Sequence, residues 1–224
     1  MAQNSEMTSA NIPICRHQIA AYILAGGRSQ RFVGEVKALQ ILNDKTLLDH
    51  VIDRLNVQID SLHINTHLNG FESYQLPIVS DDANNLYNGP LSGLLACMQH
   101  MHARLPEKEW LLITPCDAPY LPIDLIIYLS KNLTHHKAAC VSYENHLQPT
   151  FSIWHKSLLT QIDAAVNKKK WSGLKILIQN LKAKVKIIEY PLQTINPFMN
   201  INTKEELKQA ASLLHTFKLN KLDT

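Results

Sequence analysis

Two stretches carry the residues best suited to chemistry. "ILAGGRSQRFVGEVKA", Ile23 to Ala38, follows a short apolar run and packs Gly26, Gly27 and Gly34 with Arg28, Arg31 and Lys37 into one loop. Glycines let the backbone approach a phosphate closely, and guanidinium and ammonium groups neutralise it. Such a loop suits a nucleoside triphosphate. It matches neither the GxxxxGKS/T phosphate loop nor the GxGxxG dinucleotide fingerprint, and a glycine turn bearing surface cations fits the same residues. The second stretch, "LLITPCDAPYLP", places Asp117 directly after a strongly apolar run and between Pro115 and Pro119. A carboxylate there is placed to bind a hard divalent cation such as Mg2+, which takes oxygen ligands and shares them with substrate phosphates. The alternative reading is a cap on a following helix.

Two further stretches have the right residue types. Asn65 follows "HI" at the end of another apolar run, where its amide could read a nucleobase or ribose edge, or simply make a turn. Asp81-Asp82 precede "YNGPLSG", in which Gly89 and Gly93 would let backbone and helix come close to a ligand, or start a tightly packed helix. Other chemistries lack their spacing. The eleven histidines include no HExxH; His100 and His102 point to different faces of one helix, and His135-His136 sit near a helix end. There is no GxSxG nucleophile elbow. Trp110, Trp154 and Trp171 are dispersed, as core residues are.

These residues fall where strands would end. Apolar runs alternate with helical periodicity, the pattern of an α/β chain with a parallel sheet. Strands are expected at 19–25, 61–66 and near 77–80, within "EWLLITPCDAP", at 137–142 and 149–154, and at "VKIIEY". Helices are expected over 46–57, with Leu47, Leu48, Val51, Ile52 and Leu55 on one face, over "GPLSGLLACMQHMHARL", from Pro122, and in roughly 156–181. Thr203 to Glu206 forms a TxxE capping box before a last helix carrying Leu207, Ala210, Ala211 and Leu214. In open parallel sheets ligands bind beyond the carboxyl ends of the strands, which is where the loop, Asn65, Asp81 and Asp117 all belong.

Bulk properties narrow the class. The 224 residues, 46% hydrophobic, suit one domain over 19–217, with a loose polar tail at 1–18 and a short one at 218–224. A net charge of +3 without a basic, aromatic-interleaved stripe excludes a nucleic-acid groove, and Lys168-Lys169-Lys170 reads as a solvated loop between helices. Cys15, Cys97, Cys116 and Cys140 show no CxxC spacing, and reduced thiols fit a cytoplasmic protein. No signal-peptide core and no run of about 18 apolar residues is present, so no membrane partner is expected.

Taken in order, the glycine-basic loop, the strand-end asparagine, the aspartate before "GPLSG", "PCDAPYLP" and the late "FMNINTKEEL" resemble the MobA family, the molybdenum cofactor guanylyltransferases. The resemblance runs from about residue 20 to about residue 208. It implies a three-layer, Rossmann-like nucleotidyltransferase fold with a mostly parallel central sheet. It also implies Mg2+-dependent transfer of GMP from GTP to molybdenum-bound molybdopterin, with molybdenum-insertion and molybdoenzyme-maturation proteins as partners. By this resemblance Leu24, Ala25, Gly26, Gly27, Lys37, Asn65, Asp81 and Asp117 bind the nucleotide, and Asp117 holds the metal. Arg31 and Lys37 act on the phosphates; Gly34, Asn200 and Asn202 lie on the pterin side. The chain departs from its relatives at Val36, where they have aspartate, and at Gln148-Pro149-Thr150, where many have His-Pro-Thr. Within the same fold, cytidylyl transfer or nucleotidyl transfer to a sugar or polyol phosphate is the alternative. A nucleotide-binding module without catalysis is the alternative outside enzymes.

Overall fold

The computed structural model describes residues 14–27, 36–80, 89–131, 133 and 135–220, with side chains as far as 213. Its sheet is built on β1 (Ile19–Leu24), whose side chains alternate between two cores. Ile19, Ala21 and Ile23 enter one core and Ala20 and Tyr22 the other, all fully buried. Burial on both faces explains why β1 is a continuous apolar run rather than an alternating one.

A hairpin follows, β2 (Ile41–Leu42) and β3 (Lys45–Thr46). Its two turn residues, Asn43 and Asp44, both take positive φ, as a type I′ turn requires. Then α1 (Leu47–Asn56) begins with a reciprocal cap. Thr46 Oγ1 accepts from the Asp49 amide at 2.9 Å, and Asp49 Oδ2 accepts from the Thr46 amide at 2.9 Å. Leu47, Leu48, Val51 and Leu55 are buried along this helix, each worth about 2 kcal/mol relative to exposure.

The chain next forms β4 (Leu62–Asn65), β5 (Ile78–Val79), α2 (Pro90–Arg104) and β6 (Trp110–Pro115). After α3 (Leu125–Ser130), β7 (Ala138–Tyr143) and β8 (His146–His155) pair through another tight turn, Glu144-Asn145, with both φ values positive. The helical turns α4 (Leu159–Asp163) and α5 (Leu174–Asn180), the strand β9 (Val185–Glu189) and α6 (Lys204–Asn220) complete the order. The strands lie side by side as β5-β4-β1-β6-β8-β7-β9. Six run parallel and β8 alone runs against its neighbours β6 and β7. One face is covered by α1 and α3, the other by α2, α4 and α5, giving the expected three layers. A small third cluster of Leu42, Leu47, Tyr120, Ile201 and Ala210 docks α6 beside the β2–β3 hairpin.

Three local expectations are revised. Pro122 does not start a helix; α3 begins at Leu125. The reason lies on α1 and the turn after it: Arg54 donates to the Leu121 carbonyl at 3.0 Å and Gln58 to the Pro122 carbonyl at 2.8 Å, holding that segment outside the helix. Gln58 Oε1 then accepts the Ile126 amide, one of the unpaired first-turn donors of α3. The 156–181 segment is broken into a short 3-10 turn, α4, a π turn over Ala164–Lys168 and α5, with Lys170 at φ 51° between them. The lysine run is exposed there, as its charge demands. Finally, β8 is ten residues long and carries a bulge: Cys140 pairs with Ser152, but Val141 pairs with Gln148. Pro149 cannot donate to a ladder, and its carbonyl instead accepts from Ser152 Oγ at 2.8 Å.

Candidate active site

The strand order places a switch point beside β1. From β1 the chain moves outward on one side to β4 and β5, and then returns through α2 to β6 on the other side. Ligand sites of open α/β sheets form at such a point, beyond the carboxyl ends of the diverging strands. The glycine loop leaves β1 here, and Asp117 follows β6 here. Their approach is fixed by the ladder, with Leu24 opposite Pro115, and by the Cys116 amide donating to the Leu24 carbonyl at 3.3 Å.

Lys37 reaches this point from a short 3-10 turn, Lys37–Leu39, anchored by the buried Ala38. Its ammonium donates to Asp117 Oδ2 and, at 2.5 Å, to Asn202 Oδ1. The pair is well shielded, with side-chain exposures of 12% for Lys37 and 9% for Asp117. Burial pushes the Asp117 carboxyl above its ordinary range, and the Lys37 ammonium opposes that shift. The second carboxylate oxygen, Oδ1, is buried with no hydrogen-bond partner among the described residues. Val36, beside Lys37 in sequence, packs its side chain against the core cluster that α1 also enters.

The Asn200–Asn202 segment is tied to the same strand end. The Ile201 amide donates to the Asp117 carbonyl at 2.9 Å, and the Asn202 amide to Glu206 Oε2 at 2.5 Å. Glu206 also accepts from the Thr203 amide at 3.0 Å while Thr203 Oγ1 accepts from the Glu206 amide at 3.1 Å, completing the capping box of α6. Asn200 Oδ1 is buried without a partner among the described residues. Glu206 is thus a site residue that residue types alone did not single out; its signal was the TxxE box itself.

On the other flank, Ala25 donates its amide to the Asn65 carbonyl at 2.8 Å. The Asn65 side chain is buried and donates to the Val79 carbonyl at 3.0 Å, so its amide helps to fasten β5. Gly93 serves packing: a Cβ there would lie 2.7 Å from Asn65 Oδ1 and 3.2 Å from Leu24 Cδ2. Gly27 is different, because it is exposed and a Cβ would meet nothing within 4 Å. Among the described residues no neighbour requires a glycine at that position. Arg28, Arg31, Gly34 and Asp81 lie outside the described residues.

The constellation brings together a cation, a buried carboxylate and amide groups beyond the sheet, the elements of phosphate and metal binding. A covalent nucleophile is not among them: Cys116, the nearest thiol in sequence, is buried, and burial pushes its pKa far up. Among the described residues no group of three or more His, Cys, Asp or Glu side chains could hold a metal alone. A cation at Asp117 would therefore draw further ligands from substrate, as Mg2+ commonly does.

Comparison with known proteins places the fold and the family. A molybdenum cofactor guanylyltransferase of Rhodopseudomonas palustris (strain BisB5) is 33% identical over 206 residues, covering 89% of this chain and 96% of its own length. Molybdopterin-guanine dinucleotide biosynthesis protein A of Archaeoglobus fulgidus superposes with a TM-score of 0.66 at 17% identity, over 88% of this chain and 99% of that one. A Mycobacterium tuberculosis protein solved in complex with manganese superposes with a TM-score of 0.63 at 14% identity, over 87% and 98% of the two chains. The model of the MobA-like NTP transferase domain matches residues 21–185, across the loop, both strand ends and the Asp117 turn; the chain belongs to this family.

Proposed function

We propose that this chain transfers GMP from GTP to the terminal phosphate of molybdenum-bound molybdopterin. A phosphate oxygen of the pterin attacks the α-phosphorus of GTP, the bond from that phosphorus to the bridging oxygen breaks, and pyrophosphate leaves. The observation that carries the reading is the Lys37–Asp117–Asn202 cluster at the switch point, in a chain whose relative over nearly its whole length bears the guanylyltransferase name.

The chain's own residues act by positioning and charge. Leu24, Ala25, Gly26 and Gly27 bind the triphosphate, the amides of the two glycines holding it in line. Lys37 and Arg31 neutralise phosphate charge as it builds on the leaving pyrophosphate. Asn65 and Asp81 hold the nucleoside, Asn65 by fixing the strand end against which the base rests. Asn200, Asn202 and Gly34 face the pterin.

A divalent cation fits the residues present, because the buried Asp117 Oδ1, without a partner among the described residues, calls for a cation or a donor. We take the cation to be Mg2+, held by Asp117. When bound, it supplies Lewis-acid neutralisation of the phosphates. We assign the reaction to a single cytoplasmic nucleotidyltransferase domain, with molybdenum-insertion and molybdoenzyme-maturation proteins at either end of the cofactor's path. No helix among the described residues is long and apolar enough to cross a membrane. Pyrophosphate release with molybdopterin as acceptor and GTP, CTP or UTP as donor tests the reading; GTP is expected to be strongly preferred.

A further inference from the structure

Lys37 makes a contact that phosphate binding alone does not explain. Its ammonium is seated on Asp117 Oδ2, the carboxylate that would hold the metal, and Asn202 Oδ1 clasps it from a second side at 2.5 Å. The backbone beneath it is fixed by the 3-10 turn Lys37–Leu39 and by buried Ala38, whereas the four-carbon stem above is flexible. Asp117 carries one negative charge, and Lys37 already balances it. A divalent cation approaching this pair meets a neutralised carboxylate and an adjacent positive charge in a poorly hydrated pocket, where repulsion is only weakly screened.

We propose that Lys37 is an internal competitor of the divalent cation, holding Asp117 closed to metal until the nucleotide triphosphate draws the ammonium away. The triphosphate, with several negative charges, is the stronger partner for the ammonium. Once Lys37 swings onto it, Asp117 is released to the metal. Metal and nucleotide therefore bind with strong mutual dependence, and each raises the affinity for the other by the same factor. Asn202 is the positioning residue of the closed arrangement, and Glu206 holds it in place through the Asn202 amide. This inference rests on the assignment of Asp117 as metal ligand.

The test uses Mn2+ alone as the probe, titrated into the full-length protein without nucleotide and followed by the EPR signal of free Mn2+. Lys37→Met and Lys37→Gln keep the stem and remove the charge, and each is checked for folding by its thermal melt. Both are expected to bind one Mn2+ at least tenfold more tightly than wild type, and the added Asp117→Asn substitution should abolish the gain. With a non-cleavable α,β-methylene analogue of GTP, wild type should gain at least tenfold in Mn2+ affinity. Folded Lys37 variants that bind Mn2+ no more tightly than wild type overturn the inference. A gain that survives Asp117→Asn overturns it too, because the carboxylate freed is then not Asp117. Guanylyl transfer by wild type is measured separately, so loss of the inference and loss of the proposed function give different results.

Discussion

Lys37 and Asp117 form a buried ion pair whose carboxylate retains one oxygen without a partner among the described residues. Such a pair is a poor device for stability, because desolvation offsets most of its attraction, and it is better explained by a task. Asp117→Asn keeps the shape and removes the charge, so metal-dependent turnover should fall by about 10²–10³ while the thermal melt stays near wild type. Unchanged turnover would place the metal ligand elsewhere. Lys37→Ala removes a charge-assisted contact worth about 1.5–3 kcal/mol, so kcat/KM for GTP should fall by roughly 10- to 150-fold in steady-state assays. Both residues could be singled out in the sequence, Asp117 directly after an apolar run and Lys37 at the close of the glycine-basic loop. Their junction with Asn202 was not, since it joins positions 165 residues apart and depends on how α6 docks.

Packing of whole elements decides how accurately these groups are held. Helix α2 approaches the sheet so closely that a single methyl group at Gly93 would collide with Asn65 and Leu24. Gly93→Ala should therefore destabilise the fold by about 1–3 kcal/mol in denaturant melts and weaken nucleotide binding, because the strand end that carries Asn65 must shift. At the opposite flank, Glu206→Ala removes the acceptor for two amides at the start of α6. A loss of about 1–2 kcal/mol is expected from the cap alone. A larger drop in kcat than this stability change explains, at temperatures where the variant is folded, would mark Glu206 as a positioning residue for Asn202. Helix α1, with its amphipathic face, was readable directly from its sequence. The late start of α3 was not, because Arg54 and Gln58, more than sixty residues upstream, withhold Leu121 and Pro122 from it. The β8 bulge was hidden for a similar reason: Pro149 reads as a strand residue until its partner strand is known.

At the scale of the molecule, the alternation of apolar runs and helical periods disclosed the α/β class, but not the strand order or the single reversed strand. Those follow from how helices cover both faces, and they create the switch point. A second whole-molecule property lies beneath α2. His63 is buried in a stack with Tyr22 and beside His100, its Nδ1 has no hydrogen-bond partner among the described residues, and burial lowers its pKa to about 4. Burial lowers that of His100 as well. The unfolded chain titrates His63 near 6.5, so it binds more protons than the native state between pH 6.5 and about 4. Stability is then fully present above pH 6.5 and declines as the pH falls through that window, by up to about 3 kcal/mol from His63. Urea unfolding at pH 7.5 and 5 should show the decline, and His63→Phe should flatten it; equal slopes in the two proteins would contradict the assignment. The central claim concerns what the switch point does. With molybdopterin as acceptor and a divalent cation present, pyrophosphate release should be rapid with GTP, slow with CTP and UTP, and absent without acceptor; a preference for CTP, or release independent of molybdopterin, would contradict it.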